Sequence, residues 1–292
     1  MLNSLDTILQ IQELATLPTV TTKILEQVED NNVDIRNVAK TIETDASLTA
    51  KVLKVANSAI YGLRTPVASI PQAIITIGLN RLTNIVIGIS IFSRFMVHGK
   101  QQMKQLMEKY WWHSSSVSVV SKSLAKKIGK NYKEFEFVGG LLHDFGKIIL
   151  MQYQLSDYLK VIELTINERI LDVEAEKQIF GFDHLEVGSF VAEKWKLPIP
   201  VVNVIGYHSK LNRLKENIEL AAIVRFSDLL CEMWGADFYE GYQIINFEEQ
   251  PSWKILKEHF PELNELDLEK FTFELEEDFK KASEFLKIIS SS

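Results

Sequence analysis

Apolar residues recur three and four positions apart along most of this chain, while the strict alternation of a half-buried strand is scarce. Each such stripe must be covered by another helix, so the pattern leads to an all-α fold. Ile24, Leu25 and Val28 form one stripe. Asp34 is placed to cap a helix carrying Ile35, Val38, Ala39 and Ile42, and Asp45 to cap the next, with Leu48, Val52, Leu53, Val55 and Ala56 inward. Gly62, Pro66 and Pro71 punctuate a connection to a short helix bearing Ile70, Ala73, Ile74 and Ile77. Residues 85–97 are apolar on nearly all sides and predict a central buried helix. Broken by Ser90, Ser93 and Arg94, they fall short of the roughly 20 residues that span a bilayer.

The polar stretch 98–105 is the expected boundary between an amino-terminal helical lobe, residues 1–105, and a second one, residues 106–240. Gly129, Gly181, Pro198-Ile199-Pro200 and Gly235 separate the helices of the second lobe. From Gly241 the composition turns acidic and aromatic. Residues 241–292 read as a helical extension packed on the body, with Leu266, Leu268, Phe271, Phe273, Leu275, Phe279 and Phe285 suiting a helix over 263–288 and a frayed Ser290-Ser291-Ser292. At 292 residues, 46% of them hydrophobic, the chain has material for a sizeable core. A net charge of −7, without a Lys/Arg cluster interleaved with aromatics, argues against a nucleic-acid partner. Residues 1–6 lack the basic start and apolar core of a secretory signal. The single cysteine, Cys231, fits a reducing cytoplasm and reads as a packed thiol.

One stretch breaks the apolar logic. In Gly139-Gly140-Leu141-Leu142-His143-Asp144-Phe145-Gly146-Lys147 an imidazole and a carboxylate stand where a core would take aliphatics. Burying a carboxylate alone costs several kcal/mol, so Asp144 needs a cation, donors or solvent. His plus Asp is also a mixed N/O set suited to a divalent first-row metal or Mg²⁺; a capped helix end with a packed His143 is the plainer reading. His113 shares the stripe of Val117, Val120 and Leu124, away from the Ser114-Ser115-Ser116 face. Asp228 shares a stripe with Ala221, Val224 and Cys231, and His208 follows Val201, Val204 and Ile205. A single inward His is more often a core residue than a ligand. Five inward polar groups on separate predicted helices are better explained by one shared site. His184 adds a sixth, opening a helix that Asp183 caps with Glu186 three residues on. A helix N-terminus disfavours the imidazolium, so His184 is expected to be neutral.

This order, His…His-Asp…His…His…Asp, resembles the HD superfamily of metal-dependent phosphohydrolases. The wider pattern is similar to its HDOD (HD-related output domain) branch. Leu17-Pro18, Asp45-Ala46-Ser47-Leu48-Thr49-Ala50, Ala56-Asn57-Ser58-Ala59-Ile60-Tyr61-Gly62 and Ser69-Ile70-Pro71-Gln72-Ala73-Ile74 look like that branch's amino-terminal signature. Asp183-His184-Leu185-Glu186-Val187-Gly188 followed by Trp195-Lys196-Leu197-Pro198 continues it, and the likeness runs from about residue 10 to about residue 235. Two departures stand out. Ser209 occupies a position where the family often has a second His, and no Gly-Tyr-Pro signature of the cyclic di-GMP phosphodiesterases is found after it.

The resemblance implies an HD-like helical bundle in the second lobe and a cytoplasmic bacterial signalling protein that acts by contacting a signalling partner. In its enzymatic alternative, a metal-dependent phosphohydrolase, His113, His143, Asp144 and Asp228 hold a divalent metal: Fe, Mn, Ni, Mg or Zn. His184 and His208 would then take a second metal or a phosphate of a small phosphorylated ligand, and Lys147 would face developing phosphoryl charge or be a solvated helix-start lysine. Asn57 and Ser58 either line a groove or cap a helix end. The first four residues are expected to converge on one point, at about 2.0–2.3 Å from it if a transition metal binds.

Overall fold

Each helix cap expected in the amino-terminal lobe forms in the computed structural model, which describes residues 17–29, 33–96, 101–241 and 245–290. Residues 1–6, 97–100, Ser291 and Ser292 lie outside the described residues. Helix α1 (Thr19–Glu29) is followed by α2 (Ile35–Glu43), α3 (Ala46–Ala56), α4 (Ile70–Ile77) and α5 (Leu79–Phe95). Asp34 accepts from the Arg36 amide and Asp45 from the Leu48 amide, both at 2.9 Å, and Ser69 caps α4 with Pro71 in its first turn. Gly78, at φ +92°, makes the bend between α4 and α5, a backbone state that glycine alone adopts freely. Leu82 through Phe92 of α5 are buried on every side, the central helix its composition predicts. It packs against α1, α3 and α4.

The second lobe begins with the long α6 (Gln101–Lys127) and continues through α7 (Phe135–Leu142), α8 (Phe145–Tyr153), α9 (Leu155–Glu168) and α10 (Asp172–Phe180). Then come α11 (His184–Lys194), α12 (Ile199–Tyr207) and α13 (Ile218–Met233). The described part of the polar stretch 98–105 forms the first residues of α6. No strand occurs among the described residues, so the fold is all-α, with two helical lobes. No described helix is long and apolar enough to cross a membrane.

The serine face of α6 is not solvated. Ser114, Ser115, Ser116, Ser118 and Ser121 are all buried, because α7 lies against them. A Cβ on Gly140 would stand 2.8 Å from the Ser118 Cα, so the crossing needs a glycine on one helix and small residues on the other. Periodicity marks which side chains are apolar; it does not reveal how closely two backbones approach.

The carboxy-terminal segment is broken into α14 (Pro251–His259), α15 (Leu268–Phe279) and α16 (Ala282–Ser290), in place of one helix over 263–288. A 3-10 turn, Pro261–Glu265, interrupts it first. Leu266 and Phe273 point outward, while Phe271, Leu275 and Phe285 are buried. Trp253 of α14 stacks on Phe226 of α13, with ring centroids 4.8 Å apart. Helix α16 returns to α3, α5 and α6 and sets Phe285 edge-on to Phe137 at 5.0 Å. One continuous apolar core thus joins α1–α5 to much of the second lobe and to α16, and a second cluster lies between α6, α13, α14 and α15.

Candidate metal centre

Six helices deliver their polar residues to one place. His113 sits midway along α6 and Asp228 midway along α13, both fully buried. His143 ends α7 and Asp144 starts α8, so the sharp α7–α8 junction presents both side chains together. His208 ends α12 and His184 starts α11 behind the reciprocal Asp183–Glu186 capping box. Glycine at 146 lets the start of α11 reach the junction; a Cβ there would lie 1.9 Å from the His184 carbonyl oxygen.

Three imidazoles are oriented by backbone. His113 Nδ1 faces the Ala236 carbonyl at 2.6 Å, His143 Nδ1 the Gly140 carbonyl at 2.8 Å, and His208 Nδ1 the Val204 carbonyl at 3.1 Å. A carbonyl only accepts, so each Nδ1 carries the proton and each Nε2 keeps a lone pair. Those lone pairs point inward. His113 Nε2 and His143 Nε2 stand 3.2 Å apart, two acceptors facing each other. Asp228 Oδ1 lies 3.4 Å from the first and 3.7 Å from the second. Asp144 approaches them at 3.7 and 3.6 Å. Donors that share one ion at 2.0–2.3 Å are at most about 4.6 Å apart, and all these separations fall inside that limit. The structure therefore brings His113, His143 and Asp228 around one point, and Asp144 approaches both imidazoles from the neighbouring donor set that it forms with His143 and His208.

Burial pushes the Asp144 carboxyl up, but the neighbouring cations Lys147 and His184 hold it well below the usual carboxylate range. Asp228 goes the other way, raised by burial and by Glu240 more than Arg225 draws it down. Burial above all keeps His208 neutral. His184 departs from the neutral expectation. Burial opposes its protonation, yet the carboxylates of Glu176, 2.8 Å from Nδ1, and Asp144, 3.3 Å from Nε2, raise it well above the ordinary value. Two full charges at contact distance exceed the partial charge of a helix terminus.

Lys147 is fully buried, so it is not a solvated helix-start lysine. Its ammonium lies 2.6 Å from Asp144 and 2.8 Å from Asp172. Four further site residues have no counterpart among the residues expected from sequence. Asp172 and Glu176, one turn apart on α10, reach Lys147 and His184, and Arg225 pairs with Asp228 at 2.5 Å. Glu240, on the loop after α13, stands 3.2 Å from His113 Nε2. The i,i+4 and i,i+3 spacings of the first three were a signal available in the sequence; Glu240 offered none.

The residues fit a divalent cation. Asp228 Oδ1 and Glu240 Oε1 are buried without a hydrogen bond, in front of imidazole lone pairs, which is costly unless a positive charge stands between them. Two overlapping donor sets are present, His113, His143, Asp228 and Glu240, and His143, Asp144 and His208. A cleft of about 250 Å³, lined among others by Asp144, His184, His208, Lys210 and Arg225, leads to them.

Asn57 and Ser58 are not brought to this cluster. The Asn57 amide donates to the Val67 carbonyl at 2.8 Å and accepts from its amide at 2.7 Å, while Ser58 donates to Val55 at 2.7 Å. Asn57 clamps the α3–α4 connection. Asn57→Ala is expected to lower stability by about 1–2 kcal/mol, the worth of two hydrogen bonds, with metal binding unchanged; a denaturant titration and a metal titration check the two parts.

The HDOD domain family matches residues 14–211, so Arg225, Asp228 and Glu240 lie beyond the matched stretch. An uncharacterized protein of Treponema pallidum (strain Nichols) is 25% identical over 222 residues, 75% of this chain and 42% of that protein; the chain spans less than half the length of this relative. The crystal structure of an HDOD domain protein of unknown function from Geobacter sulfurreducens has a TM-score of 0.76 and 27% identity, with 96% of each chain covered. A candidate phosphohydrolase from Shewanella amazonensis SB2B has a TM-score of 0.72 and 22% identity over 97% of this chain and 98% of that one. A candidate signal transduction protein from Marinobacter aquaeolei VT8 has a TM-score of 0.67 and 18% identity over 95% and 60%. The last two share the fold.

Proposed function

The chain belongs to the HDOD domain family, and from that membership we propose that it is a cytoplasmic regulatory protein of bacterial signal transduction. It acts through contact with a signalling protein, neither nucleic acid nor membrane, and holds a divalent metal on His113, His143, Asp144 and Asp228. The observation that carries the metal reading is the pair of backbone-anchored imidazoles whose Nε2 lone pairs face each other at 3.2 Å. An ion bound there supplies positive charge between those donors and, in a hydrolytic centre, acidifies water. In this reading residues 1–105 form the contact lobe, 106–240 the metal lobe and 241–292 an extension that ties them. Lys147 fixes Asp144, and His208 and His184 flank it.

A phosphohydrolase is the second reading. The cleft that reaches Asp144, His184 and His208 favours it, as does the fold shared with candidate phosphohydrolases. Against it, the cations at the cleft mouth are engaged: Lys210 with Asp183 at 2.5 Å and Arg225 with Asp228.

Protein purified without a chelating resin is expected to carry one divalent ion per chain. With free metal near 100 times its dissociation constant, chelation removes about 2.7 kcal/mol, so the melting temperature should fall clearly. Asp228→Ala, already short of a ligand, should respond much less. Absence of stoichiometric metal together with an unshifted wild-type melting temperature would sink the metal reading. Turnover of generic phosphoesters with Mn²⁺ is expected to be no faster than in Asp144→Ala; clear excess turnover would instead establish the phosphohydrolase.

A further inference from the structure

Among the described residues, Glu240 is a carboxylate brought to the centre by the loop after α13. It precedes Gly241 in the loop after α13, and three features hold it in place. The Asp172 amide donates to its backbone carbonyl at 3.2 Å. Tyr239 takes a left-handed conformation, φ +57°, under the Lys109 ammonium 3.6 Å from its ring centroid. Gly241, at φ +105°, lies so close to the preceding helix connection that a Cβ would come within 2.4 Å of the Ile170 carbonyl oxygen. The side chain is consequently driven inward and buried. Its two oxygens are used differently. Oε2 faces Arg225 at 3.3 Å, whereas Oε1 makes no hydrogen bond and stands 3.2 Å from His113 Nε2. Together with His143 and Asp228 it belongs to a donor set whose atoms all lie within 4.8 Å of one another.

We infer that Glu240 is a fifth protein ligand of the metal, bound through Oε1, and that it takes one of the positions a hydrolytic water or a phosphate oxygen would otherwise occupy. The inference rests on the proposed metal site. Structural metal sites are closed by protein donors, whereas catalytic sites keep an open position. Four inward donors leave a six-coordinate ion two open positions, and Glu240 takes one of them. The centre then serves to lock α6, the α7–α8 junction, α13 and the Gly235–Gly241 loop together, which suits a regulator. Lys147, 3.7 Å from Oε1, and Arg225 could also hold Glu240 as a plain counter-ion, so the test must read the metal's own coordination.

The probe is Mn²⁺ added to the metal-free full chain, read by its affinity and by the water-proton relaxation of the bound ion. Wild type is expected to bind one Mn²⁺ with at most one exchanging water attached. Glu240→Ala and Glu240→Gln should each gain such water and bind Mn²⁺ at least about tenfold more weakly. Glu240→Gln keeps the shape and a polar contact to Arg225, so it carries the test if the alanine variant does not fold. Two or more exchanging waters on Mn²⁺ in wild type, or unchanged affinity and relaxation in Glu240→Gln, overturns the inference and leaves the metal reading standing. A wild type that binds no Mn²⁺ overturns both.

Discussion

Gly146→Ala is expected to lower the melting temperature by about 5–10 °C and to abolish metal binding. The added Cβ would lie 1.9 Å from the His184 carbonyl oxygen and 2.7 Å from its carbon, both of them backbone. Neither can rotate away, so α8 and α11 must separate by an ångström or more, carrying Asp144 from His184. In a free helix the change would gain about 1 kcal/mol of helix propensity. Overpacking of rigid atoms costs about 3 kcal/mol or more, and for a chain of this size each kcal/mol moves the midpoint by about 2–4 °C. Gly139→Ala is the control. Its Cβ would meet only the Val204 side chain, at 3.3 Å, and a small shift accommodates it. A thermal melt showing Gly146→Ala within about 2 °C of wild type would disprove the close crossing.

The second large effect concerns the buried charge pair. In metal-free protein, Asp144→Ala and Lys147→Met are each expected to cost about 3–5 kcal/mol, and the double variant clearly less than their sum. Lys147 and Asp144 are 2.6 Å apart and 0 and 1% exposed, so removing either leaves the other's charge in a dry interior. Asp172, at 2.8 Å, compensates Lys147 only in part. Burial alone would drive Lys147 towards its neutral form, but Asp144, Asp172 and Glu240 hold it protonated well above the usual lysine range. Denaturant titrations of the four proteins give the coupling. Additivity within about 0.5 kcal/mol would mean that the pair is not a unit.

The helices of the amino-terminal lobe were legible because their signals are local. Asp34 and Asp45 each cap the helix that begins at the next residue, and apolar spacing does the rest. The inward phase of His113, His143, Asp144, His208 and Asp228 was legible for the same reason. What the sequence hid depends on distances between segments. The serines of α6 are polar by type but small, and their burial results from Gly140 on another helix. His184 looked neutral from its helix alone, because Glu176 and Asp144 reach it only through the fold. Asp172 and Glu176 carry the spacing of an ordinary solvated pair. Glu240 sits in a loop, where no period distinguishes an inward side chain from an outward one.

The return of α16 to α3, α5 and α6 has a consequence for how the chain is made. The amino-terminal lobe cannot complete its core until residues 282–290 have emerged, because Ala282, Phe285 and Ile289 are part of that core. During synthesis α3 and α5 therefore present uncovered apolar surface for as long as the whole second lobe is being translated. Such surface is what chaperones bind and what aggregation exploits. Closing a core across most of the chain also places its decisive contacts among the slowest to form. Completion of the amino-terminal core is thus a late event, set by the docking of α16.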